Sequence, residues 1–152
     1  MNKKIRQTSI FCVLLAVAAG AAAETVTYTG SATAAVSKLM LPLGNGASVV
    51  TAANHGIAAI STSPPSLLQM DCLGLGLLSA KDDYSTDFYC TFSENEENSF
   101  DVKGTDGPDG GKATVIGGSG KWKDATGSGT FKRVSSTESS SSITFEITVT
   151  TP

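Results

Sequence analysis

The sequence predicts an all-β fold, a small antiparallel barrel of about eight strands, with a β-sandwich as the alternative. Three observations carry this. Helical periodicity is nearly absent after residue 23. Short runs rich in Val, Ile, Thr, Phe and Tyr recur between clusters of Gly, Asp, Asn and Ser, which is how strands and turns alternate. Sixteen glycines, mostly within or beside those runs, favour the barrel, because a strongly curved sheet needs them at its corners.

The elements follow in order. Val26 lies between threonines with Tyr28 after it, so 25–29 reads as the first strand. The stretch 34–43 ends in Pro42 and Gly44 and fits either a short helix-like turn or an edge segment. Segments 48–53 and 56–61 form one bulged strand or two short ones around Asn54-His55-Gly56, stopped by Pro64-Pro65. Segment 67–78 is apolar on both faces and interrupted by Gly74 and Gly76, so it is expected to be buried or sharply bent. A hairpin follows: Phe88, Cys90 and Phe92 share one face, the acidic run 94–98 is the loop, and Phe100 and Val102 resume the strand. Residues 105–111 read as a turn cluster, 113–116 and 130–134 as strands, and 135–142 as a mobile polar hairpin loop. In 143–150, Ile143, Phe145, Ile147 and Val149 alternate with Thr144, Glu146, Thr148 and Thr150, which gives one packed and one solvated face.

The N-terminus directs the chain to a compartment. Lys3, Lys4 and Arg6 precede an apolar run over 10–23, and Ala21 and Ala23 supply the small residues of a cleavage site. This is a bacterial-type signal peptide over 1–23, leaving one domain over 24–152 in the periplasm or outside the cell. The run has fourteen residues, fewer than the roughly 20 that a spanning helix needs, so no membrane anchor is expected. The remainder carries eight basic and fourteen acidic residues. Its basic residues are scattered, which argues against a nucleic-acid partner. Cys12 leaves with the leader, and Cys72 and Cys90 remain as an even pair, expected to form a disulfide in an oxidising compartment.

The run Ile116-Gly117-Gly118-Ser119-Gly120-Lys121-Trp122-Lys123-Asp124-Ala125-Thr126-Gly127 resembles the GGTGKF-xx-A-x-G segment of dirigent proteins and of the wider allene oxide cyclase-like barrels, which include secreted bacterial members. The resemblance covers about 25 residues, and its glycines serve backbone geometry. It implies an eight-stranded barrel that can be oligomeric, with an apolar interior either filled or hollow. In that superfamily the segment ends one strand, turns with an aromatic plug, and starts the next. Trp122 matches the plug, and Gly117, Gly118, Gly120, Gly127 and Gly129 match the corner. Plant members isomerise or orient small hydrophobic intermediates in the cavity, but nothing outside the segment aligns, so none of their active residues is carried over.

Catalytic motifs are missing. His55 is the sole histidine and no G-x-S-x-G elbow is present. One histidine and two paired cysteines leave only carboxylates for a metal, which does not suit zinc, so no metal site is expected, and no cofactor motif is found. Asp106-Gly107-Pro108-Asp109-Gly110 departs from a calcium loop at Pro108 and lacks the closing glutamate. The resulting expectation is a non-enzymatic barrel that binds a small apolar ligand or another exported protein. The alternative is a cyclase or isomerase using cavity shape and one or two polar groups, for which His55, Asp71 and Tyr89 are the weak candidates. A hollow interior with a convergent polar cluster would favour the enzyme, and an interior filled by Leu, Phe and Met a structural or interaction role.

Overall fold

A computed structural model describes residues 23–152 apart from Ser63, Ala80, Asp82 and Asp109. Residues 1–22 of the expected leader, and Asp109 of the calcium-like stretch, lie outside the described residues. Eight strands form a closed antiparallel barrel in which each strand pairs with its neighbours in sequence and β1 with β8. They are β1 Glu24–Pro42, β2 Ser48–Ile60, β3 Ser66–Leu78, β4 Tyr84–Ser93, β5 Ser99–Gly107, β6 Gly110–Ser119, β7 Thr126–Ser136 and β8 Ser140–Thr151, with a short 3₁₀ turn at Gly120–Trp122. The barrel, not the sandwich, is the fold.

Several elements are longer than local sequence implied. The uncertain stretch 34–43 is the second half of β1, which runs for 19 residues and takes β8 on one side and β2 on the other. Its even-numbered residues, Ala32, Ala34 and Val36 among them, face inward and supply the alternation. β2 is one strand without a bulge, in continuous register with β3 from Ser48 to Ile60. The polar run 135–142 is largely strand: β7 extends to Ser136 and β8 begins at Ser140, joined by a turn in which Thr137 bonds Ser140. Likewise the cluster 105–111 mostly belongs to β5 and β6. Serine and glycine are tolerated there because cross-strand hydrogen bonding, not side-chain propensity, holds these strand ends.

The disulfide joins Cys72 and Cys90, directly opposite each other on β3 and β4. Both side chains point inward beside Met70 and Phe92, so the staple lies inside the barrel. Among the described residues no helix is long and apolar enough to cross a membrane.

One end of the barrel is filled. Phe100 is its hub, stacked on Phe92 at 5.0 Å and on Tyr28 at 6.3 Å, with Trp122 edge-on at 5.2 Å. Trp122 is only 4% exposed, and it closes this end as a plug. The corner around it depends on Gly120, whose φ is +55° and where a Cβ would collide with Asn98 and the Glu97 carbonyl. Asn98 in turn accepts a hydrogen bond from the Lys121 backbone at 2.9 Å, tying the corner to the β4–β5 loop.

Candidate functional site

The other half of the interior is hollow. Small inward residues on β1 to β3, such as Ala34, Ala52 and Gly74, leave a cavity of about 390 Å³ open towards the barrel end where β1 finishes and β2 begins. That volume falls within the range of small-molecule sites. Phe88 and Phe131, packed edge to face at 5.3 Å, form its aromatic wall.

Lys38 of β1 and Asn54 of β2 line the cavity, and on the opposing β4, β5 and β7 side it carries an ion pair. Arg133 of β7 forms an ion pair with Asp106 of β5 and donates a second hydrogen bond to the Tyr84 hydroxyl of β4. The Tyr84 hydroxyl in turn donates a hydrogen bond to the Gly107 carbonyl at 2.5 Å, and the guanidinium lies 5.1 Å from the centre of the tyrosine ring. Burial pushes the Asp106 carboxyl above its ordinary value of 3.8, against the opposing pull of the Arg133 charge and hydrogen bond. Asp106 Oδ1 and Arg133 Nε are buried with no hydrogen-bond partner among the described residues. This side therefore offers one acceptor and one donor next to each other.

His55, Asp71 and Tyr89 stand elsewhere, on the outer wall. Strand side chains alternate, and in β2, β3 and β4 the even-numbered positions face inward, so these three odd-numbered residues face out. The structure does bring His55 and Asp71 together: they are directly opposed and paired through His55 Nδ1, and Gln69 donates to Asp71 at 2.9 Å. The histidine hydrogen bond is the main reason that the Asp71 carboxyl is held below its ordinary value, with burial opposing and Gln69 assisting. Tyr89 lies beside Leu73 and contacts neither the cavity nor the ion pair of the interior.

No family model matches the chain, and no curated protein matches it. Solved structures do. The pterocarpan synthase dirigent protein GePTS1 aligns over 88% of this chain and 88% of its own, with a TM-score of 0.58 at 15% identity. The pterocarpan synthase dirigent protein PsPTS1 aligns over 84% of this chain and 94% of its own, with a TM-score of 0.53 at 13% identity. The fold is that of dirigent proteins.

Within this dirigent-like barrel, Tyr84, Asp106 and Arg133 are the residues that sequence reasoning passed over. Asp106 opens an Asp-Gly-Pro-Asp-Gly stretch that reads as a turn, and Arg133 lies in the expected strand 130–134 with no motif to mark it. The available signal was parity. Counting on from the apolar Phe100 and Val102 puts Asp106 on the inward face of β5, and counting on from Phe131 puts Arg133 on that of β7.

Proposed function

We propose that this chain is an exported binding barrel that takes a small, mostly apolar molecule bearing one hydrogen-bonding group into the open half of its interior. The mostly apolar cavity with the Asp106–Arg133 pair in its lining carries this reading. Aromatic and aliphatic side chains would take the apolar body, while the free Asp106 Oδ1 and Arg133 Nε suit a hydroxyl, which can both donate and accept. An eight-stranded barrel has room for one small ligand and no more. Export is supported by the leader-like N-terminus and by the disulfide, which persists in oxidising compartments.

The interior is split between the two outcomes that the sequence left open, filled at the Trp122 end and hollow at the other. The convergent cluster supports a second reading, a cyclase or isomerase in which Tyr84, Asp106 and Arg133 orient and polarise a bound intermediate inside the cavity. The two fold neighbours are both described as synthases, which agrees with it.

Native mass spectrometry of the protein purified from its own host tests the binding reading. A co-purifying small molecule is expected, and it should be lost from Ala52→Phe, which fills the cavity from the β2 wall. A ligand-free protein, or a ligand retained by a folded Ala52→Phe variant, would count against it. Chemical conversion of the co-purified molecule on incubation, abolished in Asp106→Asn, would instead favour the enzyme.

A further inference from the structure

We infer that the outer wall of β2 to β5 carries a second site, separate from the interior cavity, that binds a neutral saccharide. His55, Asp71 and Tyr89 have no part in the interior site, yet all three line one depression of about 600 Å³ on the outside of the barrel. Leu73, Thr91 and Asp101 line it with them.

The sheet register sets these side chains out in two parallel rows. His55, Asp71, Thr91 and Asp101 stand directly opposite one another on β2, β3, β4 and β5. Two residues along each strand, on the same face, stand Ala53, Leu73, Tyr89 and Lys103. Rows two residues apart are separated by about 6.7 Å, and neighbouring strands by about 4.8 Å. A ring of pyranose size laid over the second row therefore carries its edge above the first.

The first row is a fixed array of acceptors. His55 pairs with Asp71 through Nδ1, Gln69 donates to the other Asp71 oxygen at 2.9 Å, and Thr91 donates to Asp101 at 2.7 Å. These bonds hold the side chains in place and use up their donors. The atoms left without a partner among the described residues are acceptors: Asp101 Oδ2, Gln69 Oε1 and, in the neutral ring, His55 Nε2. A ligand must bring donors to them, and hydroxyl groups suit, because a hydrogen bond to a carboxylate is roughly twice as strong as a neutral one.

The second row is apolar and open. Leu73 is 63% and Tyr89 59% exposed, and Ile116, the unpaired residue of the β6 bulge, adds a third apolar side chain at the far end of the depression. Tyrosine offers a broad apolar face with a polar tip. The outward row of β8, Thr144, Glu146 and Thr148, holds neither an aliphatic nor an aromatic side chain, and solvent alone requires no more than that.

The ligand class follows from the two rows together. The apolar row alone would suit a protein surface, and the carboxylates alone a cation. Lys103, beside Tyr89, offsets one of the two carboxylates, and among the described residues no three His, Cys, Asp or Glu side chains are grouped to hold a metal ion. A saccharide has both required parts, a C–H face for Leu73 and Tyr89 and a hydroxyl edge for the acceptor row.

Titration calorimetry with five neutral hexasaccharides, the β-1,4-linked oligomers of glucose, xylose, mannose and N-acetylglucosamine and the α-1,4-linked oligomer of glucose, tests the inference. At least one should bind with submillimolar affinity. Tyr89→Ala and Asp101→Asn should each weaken it about tenfold or more, with thermal unfolding unchanged because neither residue belongs to the core. Ala52→Phe, which fills the interior cavity, should leave it as it was. If either surface variant fails to fold, amide chemical-shift mapping on the unaltered protein decides the matter, since the saccharide should shift residues 71–73 and 89–91. Binding of none of the five, a folded Tyr89→Ala variant that binds like the wild type, or shifts that map to the cavity mouth would each overturn the proposal. So would a triarginine peptide that binds through Asp71 and Asp101 where the saccharides do not.

Discussion

Arg133 on β7 reaches Asp106 on β5 past the start of β6, where Gly110 and Gly111 present no side chains to obstruct it. A side chain at Gly111 would collide with the Phe131 ring, so this glycine keeps both the aromatic wall and the ion pair in place. The contact spans two strand positions around the barrel, and the curvature of the sheet brings the two inward side chains together over β6.

The first prediction concerns the titration of Asp106. Followed by carboxyl carbon NMR, its midpoint should lie above 3.8, and Arg133→Gln should raise it further by removing the cation that opposes burial. Because the folded-state value exceeds the unfolded one, this carboxyl's contribution is fully present below pH 3.8 and lost as pH rises through the folded value. A midpoint that falls in Arg133→Gln would contradict the assignment of causes.

Trp122→Ala should lower stability by about 3–5 kcal/mol, since it empties the plug beside Phe100. Ligand held in the open half should remain bound below the melting transition, because Trp122 does not line that cavity. Thermal unfolding with and without the co-purified molecule separates the two effects. A variant that melts like the wild type but has lost its ligand would make Trp122 part of the binding site.

Replacing both Cys72 and Cys90 by alanine should cost about 3 kcal/mol, mostly by releasing the unfolded chain from an 18-residue loop. Strand register should not change. The bond joins residues already paired in a ladder that continues from Gln69–Ser93 to Leu78–Tyr84. Amide hydrogen exchange across β3 and β4 reads this directly, and loss of protection confined to those strands would show that the bond sets the register.

Gly120→Ala should destabilise by about 1–2 kcal/mol, the usual cost of placing a side chain in the left-handed region. The collision with Asn98 adds to it. Denaturant unfolding measures the loss, and an unchanged midpoint would mean that the corner relaxes without penalty.

Strand identity was legible wherever apolar and polar residues alternate cleanly, as in Ile143, Phe145, Ile147 and Val149. The staple was legible from two cysteines, and the plug from one tryptophan among glycines. Period-two patterning and local turn chemistry are properties of neighbouring residues, so a sequence displays them directly. The ends of β1, β7 and β8 were not legible, because serine-rich and mixed segments become strand only when a partner strand accepts their hydrogen bonds.

By itself, then, the sequence determined an all-β chain, its glycine corner and its covalent cross-link. Tertiary structure alone decided which polar residues meet. His55, Asp71 and Tyr89 look suited to chemistry yet face outward, while Tyr84, Asp106 and Arg133, marked by no motif, converge inside. The physical reason is that pleating fixes alternation within a strand, whereas contact between strands far apart in sequence depends on the register and closure of the whole barrel.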